Sequence, residues 1–250
     1  MKIKVISFNI RCCNDKDGYS VAERAPRLAA VTKGYDADVI GLQEFTYLWE
    51  DHIERIYGDK YEMFNQYRHM TRLESPPILW KKDKFECLKK GCFWLSDTPE
   101  VMSGGWDTLG CNRNCEYVIL RDKESGEEFV FMNTHLGFGD EFQIKSVELI
   151  CDYAEKISSL PTFVTGDFNA HFQSPPYEAM AKRLVDVNGA TVNDRRSTYH
   201  GYHPEDDKNV HIDYCFANEK VKPISFKIID ETVDGKFPSD HFGFFAELEI

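Results

Sequence analysis

Apolar residues along the chain gather into short runs rich in Val, Ile, Leu and Phe. These runs predict β-strands at 2–8, 38–42, 77–80, 116–121, 128–134, 162–165, 211–216, 223–229 and 243–250. Three stretches carry helical spacing instead. Leu28, Val31 and the alanines mark 24–33, and Leu48, Ile53 and Ile56 mark 47–57. In 142–157, Ile144, Val147, Ile150, Cys151, Ala154 and Ile157 form one stripe. Strands interleaved with helices, and a hairpin joining 116–121 to 128–134 through Ser125-Gly126, predict an α/β (α+β) architecture of mixed sheet covered by helices. The polar stretches 107–114 and 188–209 read as long loops. No repeat, low-complexity tract or Gly/Ser linker divides the chain, so 1–250 is expected to form a single domain.

The informative feature is what ends these strands. The first runs into Asn9, the second into Gln43 and Glu44, the fifth into His135, and the sixth into Asp167, Phe168 and Asn169. Extended backbone alternates side-chain direction with period two, so Asn133 is expected to share a face with His135, and Asp167 with Asn169. In 211–216 the apolar Ile212, Tyr214 and Phe216 share one face and leave Asp213 on the other. A carboxylate inside an apolar strand is costly unless paired, and a histidine is a natural partner. An Asp240-His241 pair stands just before the last strand. Singly, each residue has an ordinary explanation: Glu44 could cap the following helix, and Asp167 could close an Asx-turn. Together they point to one convergent polar pocket. Carboxylates such as Glu44 supply the hard oxygens that Mg²⁺ or Mn²⁺ prefers, and a His fixed by a buried Asp can move a proton or bind phosphate. The chain has no Gly-x-Ser-x-Gly elbow and no Gly-rich phosphate loop with a Lys, so the chemistry predicted is metal-assisted attack of water on phosphorus.

Composition narrows the substrate. Asp and Glu total 42 against 30 Lys and Arg, a net charge of −12, which argues against holding duplex DNA mainly by phosphate neutralisation. The basic stretch Lys81, Lys82, Lys84, Lys89 and Lys90 reads as a solvated strand face. No apolar run is long enough to span a bilayer, and the N-terminus lacks the features of a signal peptide, so a cytoplasmic protein without membrane insertion is expected. The eight cysteines do not form a disulfide scaffold, and Cys111 and Cys115 lack the further Cys/His pair a zinc site requires; mostly buried, reduced thiols are expected. Trp94 and Trp106 could stack on a ring, though packing is the expected use.

Ser7-Phe8-Asn9, Gly41-Leu42-Gln43-Glu44, Asn133-Thr134-His135, Gly166-Asp167-Phe168-Asn169, His211-Ile212-Asp213-Tyr214 and Ser239-Asp240-His241 stand in the order seen in the endonuclease/exonuclease/phosphatase superfamily, which the chain resembles. Phe93-Trp94-Leu95-Ser96-Asp97-Thr98-Pro99 with Gly105-Trp106-Asp107 resembles its bacterial single-domain branch. The resemblance implies a deoxyribonuclease I-like sandwich of two packed mixed β-sheets flanked by helices, with the pocket at one edge. It implies that Glu44 ligates Mg²⁺ (or Mn²⁺) with Asn9 beside it, and that Asp167 orients or deprotonates the attacking water. It further implies that Asn169 holds a phosphate oxygen, that His135 and His241 contact the scissile phosphate, that Asp213 orients His241, and that Asp240 supports the metal site or the histidine. Arg113 resembles a substrate-facing arginine, but Asn114-Cys115-Glu116-Tyr117 departs from the pattern, where relatives more often carry small or aromatic residues, and a carboxylate at Glu116 near a phosphate path would be unfavourable. The expectation is a monomeric, metal-dependent phosphodiester hydrolase acting on a single-stranded nucleic acid or nucleotide. The alternative substrate is a phosphoinositide or sphingomyelin-type headgroup, for which no clear membrane-facing apolar loop is visible. A non-catalytic binding module is disfavoured because Glu44 and the Asp-His pair are all present.

Overall fold

The computed structural model describes residues 1–71, 73–206 and 209–250. The first half contains β1 (Lys2–Asn9), α1 (Val21–Lys33), β2 (Val39–Gln43), β3 (Phe45–Thr46), α2 (Glu50–Tyr57), β4 (Tyr61–Phe64), β5 (Glu74–Ser75), β6 (Ile78–Lys81) and β7 (Phe85–Trp94). The second contains β8 (Asn114–Asp122), β9 (Glu128–His135), α3 (Asp140–Ile157), β10 (Thr162–Asp167), α4 (Pro175–Ala181), β11 (Val185–Asp186), β12 (Asp213–Ala217), β13 (Lys222–Ile229) and β14 (Gly243–Glu249). The strand order of the first sheet is β13-β14-β1-β2-β6-β4, and of the second β11-β12-β10-β9-β8-β7; β3 and β5 form a small ladder. The second sheet is built from one contiguous segment, whereas the first unites strands from both ends of the chain. Each sheet has one parallel pair at its centre, β1 with β2 and β9 with β10, and antiparallel neighbours elsewhere.

Period-two alternation sorts the side chains into layers. Ile3, Val5, Val39, Phe129, Phe131, Phe163, Cys215, Phe244 and Ala246 meet between the sheets. On the outer face of the second sheet, Val130, Met132, Val164 and Phe216 pack under α3 and α4 through Val147, Ile150 and Met180. On the outer face of the first, Ile6, Phe8, Ile40 and Leu42 pack under α1 and α2 through Leu28, Val31 and Ile53. The result is a helix–sheet–sheet–helix sandwich. At one edge the inter-sheet layer turns polar on the same alternation: Ser7 and Asn9 follow Val5, Asn133 and His135 follow Phe131, and Thr165 and Asp167 follow Phe163, all buried. The parallel pairs explain the location, since they bring four strand C-termini to that edge.

Asn133 fastens the sheets there. Its Nδ2 donates to Leu42 O (2.7 Å) and Pro76 O (3.1 Å), and its Oδ1 accepts from Gln43 Nε2 (2.8 Å) and Thr165 Oγ1 (2.9 Å). Gly41 makes the close approach possible, because a Cβ there would lie 2.6 Å from both Asn133 Oδ1 and Thr165 Oγ1.

Among the described residues, no helix is long and apolar enough to cross a membrane. Cys115, Cys151 and Cys215 are buried free thiols, but Cys12, Cys13, Cys87 and Cys92 are only half-buried, so burial of the thiols is less complete than expected. Cys115 lies in the core under α3 while Cys111 lines the cleft, so the two do not share a zinc site.

Candidate active site

The polar edge opens into a cleft of about 650 Å³ whose walls include Arg11, Glu44, Arg68, Glu74, Arg113, His135, Asp167, Asn169, Asp240 and His241. Asn9 joins the two sheets at its floor: Nδ2 donates to Asp167 Oδ2 (2.9 Å) and lies 3.2 Å from Glu44 Oε1. Glu44 Oε2 accepts the Cys12 N–H at 2.9 Å. Glu44 caps no helix, since α2 begins after Trp49. The Asx-turn reading of Asp167 is met, with Asn169 N donating to Asp167 Oδ1 at 2.9 Å, and the same carboxylate still faces the cleft.

Asp213 has the partner its burial requires: Oδ2 lies 3.0 Å from His241 Nδ1. His241 Nε2 then points to Asp167 Oδ2 at 3.7 Å, with the Tyr199 ring edge-on at 5.0 Å. Burial alone would lower the imidazole, but the Asp213 carboxylate, aided by Asp167 and Asp240, carries it up to about 10. His135 behaves oppositely. Burial, reinforced by the Arg113 and Arg68 charges, holds it well below the usual histidine range. Its Nε2 meets Asn169 Nδ2 at 3.0 Å and lies 3.6 Å from Asp167 Oδ2, while Nδ1 is buried without a hydrogen bond. Two histidines therefore flank Asp167, one shifted up by its carboxylate neighbours and the other shifted down by burial and the nearby arginines. Burial and the Asp213 charge push Asp167 itself up to about 7.

Three of these residues hold left-handed backbone: Glu44 (φ 59°), Asn169 (φ 48°) and Arg11 (φ 61°). Non-Gly residues there cost of the order of 1–3 kcal/mol each, and the surroundings hold them in place. Gln143, the first buried residue of α3, donates to Gly137 O (2.9 Å) and Asn169 O (2.8 Å), tying together the loops after β9 and β10. Arg24, fully buried on α1, donates to Ile10 O, Arg11 O, Cys13 O and Tyr19 O and so fixes the loop after β1.

The arrangement thus brings Asn9, Glu44, His135, Asp167, Asn169, Asp213, Asp240 and His241 around one cleft, with Arg113 on its wall. Asp240 lies 3.6 Å from Arg11 Nε, and burial raises its carboxyl. Glu116, expected to disturb a phosphate path, is buried and does not line the cleft: Oε1 accepts the Gln66 N–H at 2.9 Å, and burial drives the carboxyl well up. Sequence reasoning missed Arg11, Arg68 and Glu74, which come from irregular segments and the β3–β5 ladder rather than from the ends of long apolar strands. Packing, the expected use of Trp94, is what the structure shows: the ring is buried and its Nε1 donates to Arg68 O at 3.3 Å.

The donor set fits a divalent cation. Asp167, Asp213 and His241 are the most compact group among the described residues, with ligand atoms within 4.8 Å of one another. Asp213 and His241 satisfy each other, however, whereas Glu44 accepts one N–H on each oxygen and retains lone pairs. Glu74 and Asp240 crowd Glu44 electrostatically, and a hard divalent cation held there would relieve that repulsion.

A sequence model described as the Endonuclease/Exonuclease/phosphatase family matches residues 6–241. An endonuclease/exonuclease/phosphatase structure from Bacteroides vulgatus is 28% identical, with a TM-score of 0.90 over 100% of this chain and 99% of that one. The mannosyl-6-phosphatase of Bacteroides thetaiotaomicron is 27% identical, with a TM-score of 0.89 over 99% of this chain and 100% of that one. A Saccharomyces cerevisiae protein named "Probable RNA exonuclease NGL3" is 24% identical over 187 residues, 67% of this chain and 35% of its own length, so the chain spans about a third of that curated relative. The two-sheet sandwich is the deoxyribonuclease I-like fold of these structures. With its motifs, its fold and the match across 6–241 in agreement, the chain belongs to the Endonuclease/Exonuclease/phosphatase family of phosphoester hydrolases.

Proposed function

We propose that the chain is a divalent-metal-dependent phosphatase acting on a small phosphorylated polar molecule of the sugar-phosphate type. The observation that carries this reading is the convergence of Glu44, Asp167 and His241 with buried arginines in a cleft of about 650 Å³, room for a compact ligand. The acidic net charge of −12 and the full-length likeness to a mannosyl-6-phosphatase support it over a polymeric substrate. Glu44 and Asn9 would hold Mg²⁺ or Mn²⁺, which when bound supplies positive charge to a phosphoryl oxygen. Asp167 positions a water and takes its proton as the water oxygen bonds to phosphorus. The phosphorus–oxygen bond to the alcohol breaks, that oxygen takes a proton from solvent while Asp167 returns its own to solvent, and the products are inorganic phosphate and the alcohol. His241, charged and held by Asp213, steadies the phosphoryl oxygens, while Asn169 donates to another.

A second reading, hydrolysis at the end of a short single-stranded nucleic acid, is favoured by the likeness to the named RNA exonuclease and by Leu109, Phe138 and Tyr199, which line the cleft with exposed apolar surface on which a base could rest. The deciding experiment is phosphate release from hexose 6-phosphates, inositol phosphates, nucleotides and single-stranded RNA, with Mg²⁺ or Mn²⁺ and with chelator. The expected result is metal-dependent turnover, highest on hexose phosphates and lost in Asp167→Asn. Preference for RNA selects the second reading, and turnover unaffected by chelator rejects both.

A further inference from the structure

Arg68 and Arg113 reach the same cleft from unrelated segments, and both are buried, with 7% and 4% of their surface exposed. Each meets one carboxylate: Arg68 Nη2 lies 2.6 Å from Glu74 Oε2, and Arg113 Nε lies 2.8 Å from Asp107 Oδ2. One carboxylate edge does not use the five donors of a guanidinium, and Arg113 Nη1 is buried with no partner. Both charges act on the cleft, since both depress His135. The backbone beneath Arg68 is fixed on several sides. Its carbonyl accepts from Asn112 Nδ2 (2.9 Å) and Trp94 Nε1 (3.3 Å), and its N–H donates to Glu74 O (3.0 Å). Two residues earlier, Glu116 and Asn114 hold the N–H and carbonyl of Gln66. Such a foundation pre-organises a long side chain for a ligand.

We infer that Arg68 and Arg113 form a two-guanidinium seat for a terminal phosphate and make the enzyme select phosphomonoesters over phosphodiesters. The inference rests on the hydrolase reading above and adds to it the residues that set substrate class. A monoester carries about −1.5 to −2 charge near neutral pH and three unesterified oxygens; a diester carries one charge and two such oxygens. A second planar fork reads that difference. An extra charge a few ångströms from a guanidinium at the effective dielectric of a partly buried site is worth roughly one to two orders of magnitude in affinity.

The test uses two substrates with the same leaving group, p-nitrophenyl phosphate and methyl p-nitrophenyl phosphate, with the Mg²⁺-loaded protein. Arg68→Met is expected to lower kcat/KM for the monoester about 30-fold, mainly through KM, and for the diester less than about threefold, with Arg68→Lys retaining part of the difference. Equal losses on both substrates, or wild-type turnover of the diester alone, overturn the inference. Calorimetry on the wild type provides an arm independent of turnover and of the variants' folding: inorganic phosphate is expected to bind at least about tenfold more tightly than dimethyl phosphate. Equal binding overturns the seat. Arg68-dependent phosphate binding by a protein that hydrolyses neither ester supports the seat while rejecting the hydrolase reading.

Discussion

His241 has one nitrogen committed to Asp213 at 3.0 Å and the other facing Asp167 at 3.7 Å, so its orientation depends on a single buried carboxylate. Asp213→Asn keeps the shape but replaces the charge that raises the imidazole. Steady-state kinetics are expected to show kcat reduced about 10³- to 10⁴-fold with an unchanged circular dichroism spectrum, by analogy with the Asp of a Ser-His-Asp triad. A loss below about tenfold would remove Asp213 from the machinery. Asn133, by contrast, is a fastener of the sheets. Asn133→Leu removes the side-chain partner of the Leu42 carbonyl and of the Thr165 hydroxyl in the buried layer. Denaturant unfolding is expected to show about 3 kcal/mol of destabilisation, which in a chain of this size lowers Tm by near 10 °C. An unchanged midpoint would contradict the role given to it.

At the scale of elements, the nine apolar runs all became strands, because a period-two or fully apolar run bounded by turn residues has few other ways to bury itself. The strands outside those nine runs are marginal in sequence. In β7, Glu86, Lys89 and Lys90 interrupt the apolar positions, and a register shift between Cys87 and Lys89 changes which residues face inward; an edge strand with charges is a known guard against pairing with other chains. α4 opens with Pro175 and Pro176, which read as loop but suit a first helical turn. The strand-end residues of the site were legible because alternation fixed their face. Arg68 and Glu74 were not, since their positions follow from tertiary hydrogen bonds, and the left-handed backbone of Glu44 has no sequence signal. The loop after β11 carries a pH-dependent element. His200 stacks on Phe242 (4.2 Å) and accepts the Tyr202 N–H, and burial, helped by the His241 charge, holds it down to about 4. An ordinary His protonates near 6.5, so between about 6.5 and 4 the unfolded chain binds a proton that the native one refuses. Stability is expected to fall as pH drops through that window, by on the order of 3 kcal/mol. The wild-type minus His200→Gln stability difference, measured by urea titration at pH 7 and pH 4, checks it; a pH-independent difference rejects it.

For the whole molecule, charge is distributed unevenly. Lys81 and Lys84 pair with Asp38, and Lys84 also reaches the carbonyl of Lys2, so this part of the basic stretch lies at the end of the sandwich opposite the cleft and offers no track for a nucleic acid entering it. The buried carboxylates of the cleft are the larger electrostatic burden. A cation that binds only the folded protein at a hundred times its Kd adds about 2.7 kcal/mol, or roughly 5–10 °C in Tm for a chain of this length. Calorimetric scans are expected to show that rise with Mg²⁺ or Mn²⁺ and its loss in Glu44→Gln; a flat Tm in millimolar metal counts against Glu44 as ligand. The order of strands has a further consequence. β14 lies between β13 and β1 and is the strand through which β13 joins the first sheet. A polypeptide stopped before Gly243 therefore leaves β13 without a neighbour in that sheet and bares the flank of β1, the strand whose far end carries Asn9.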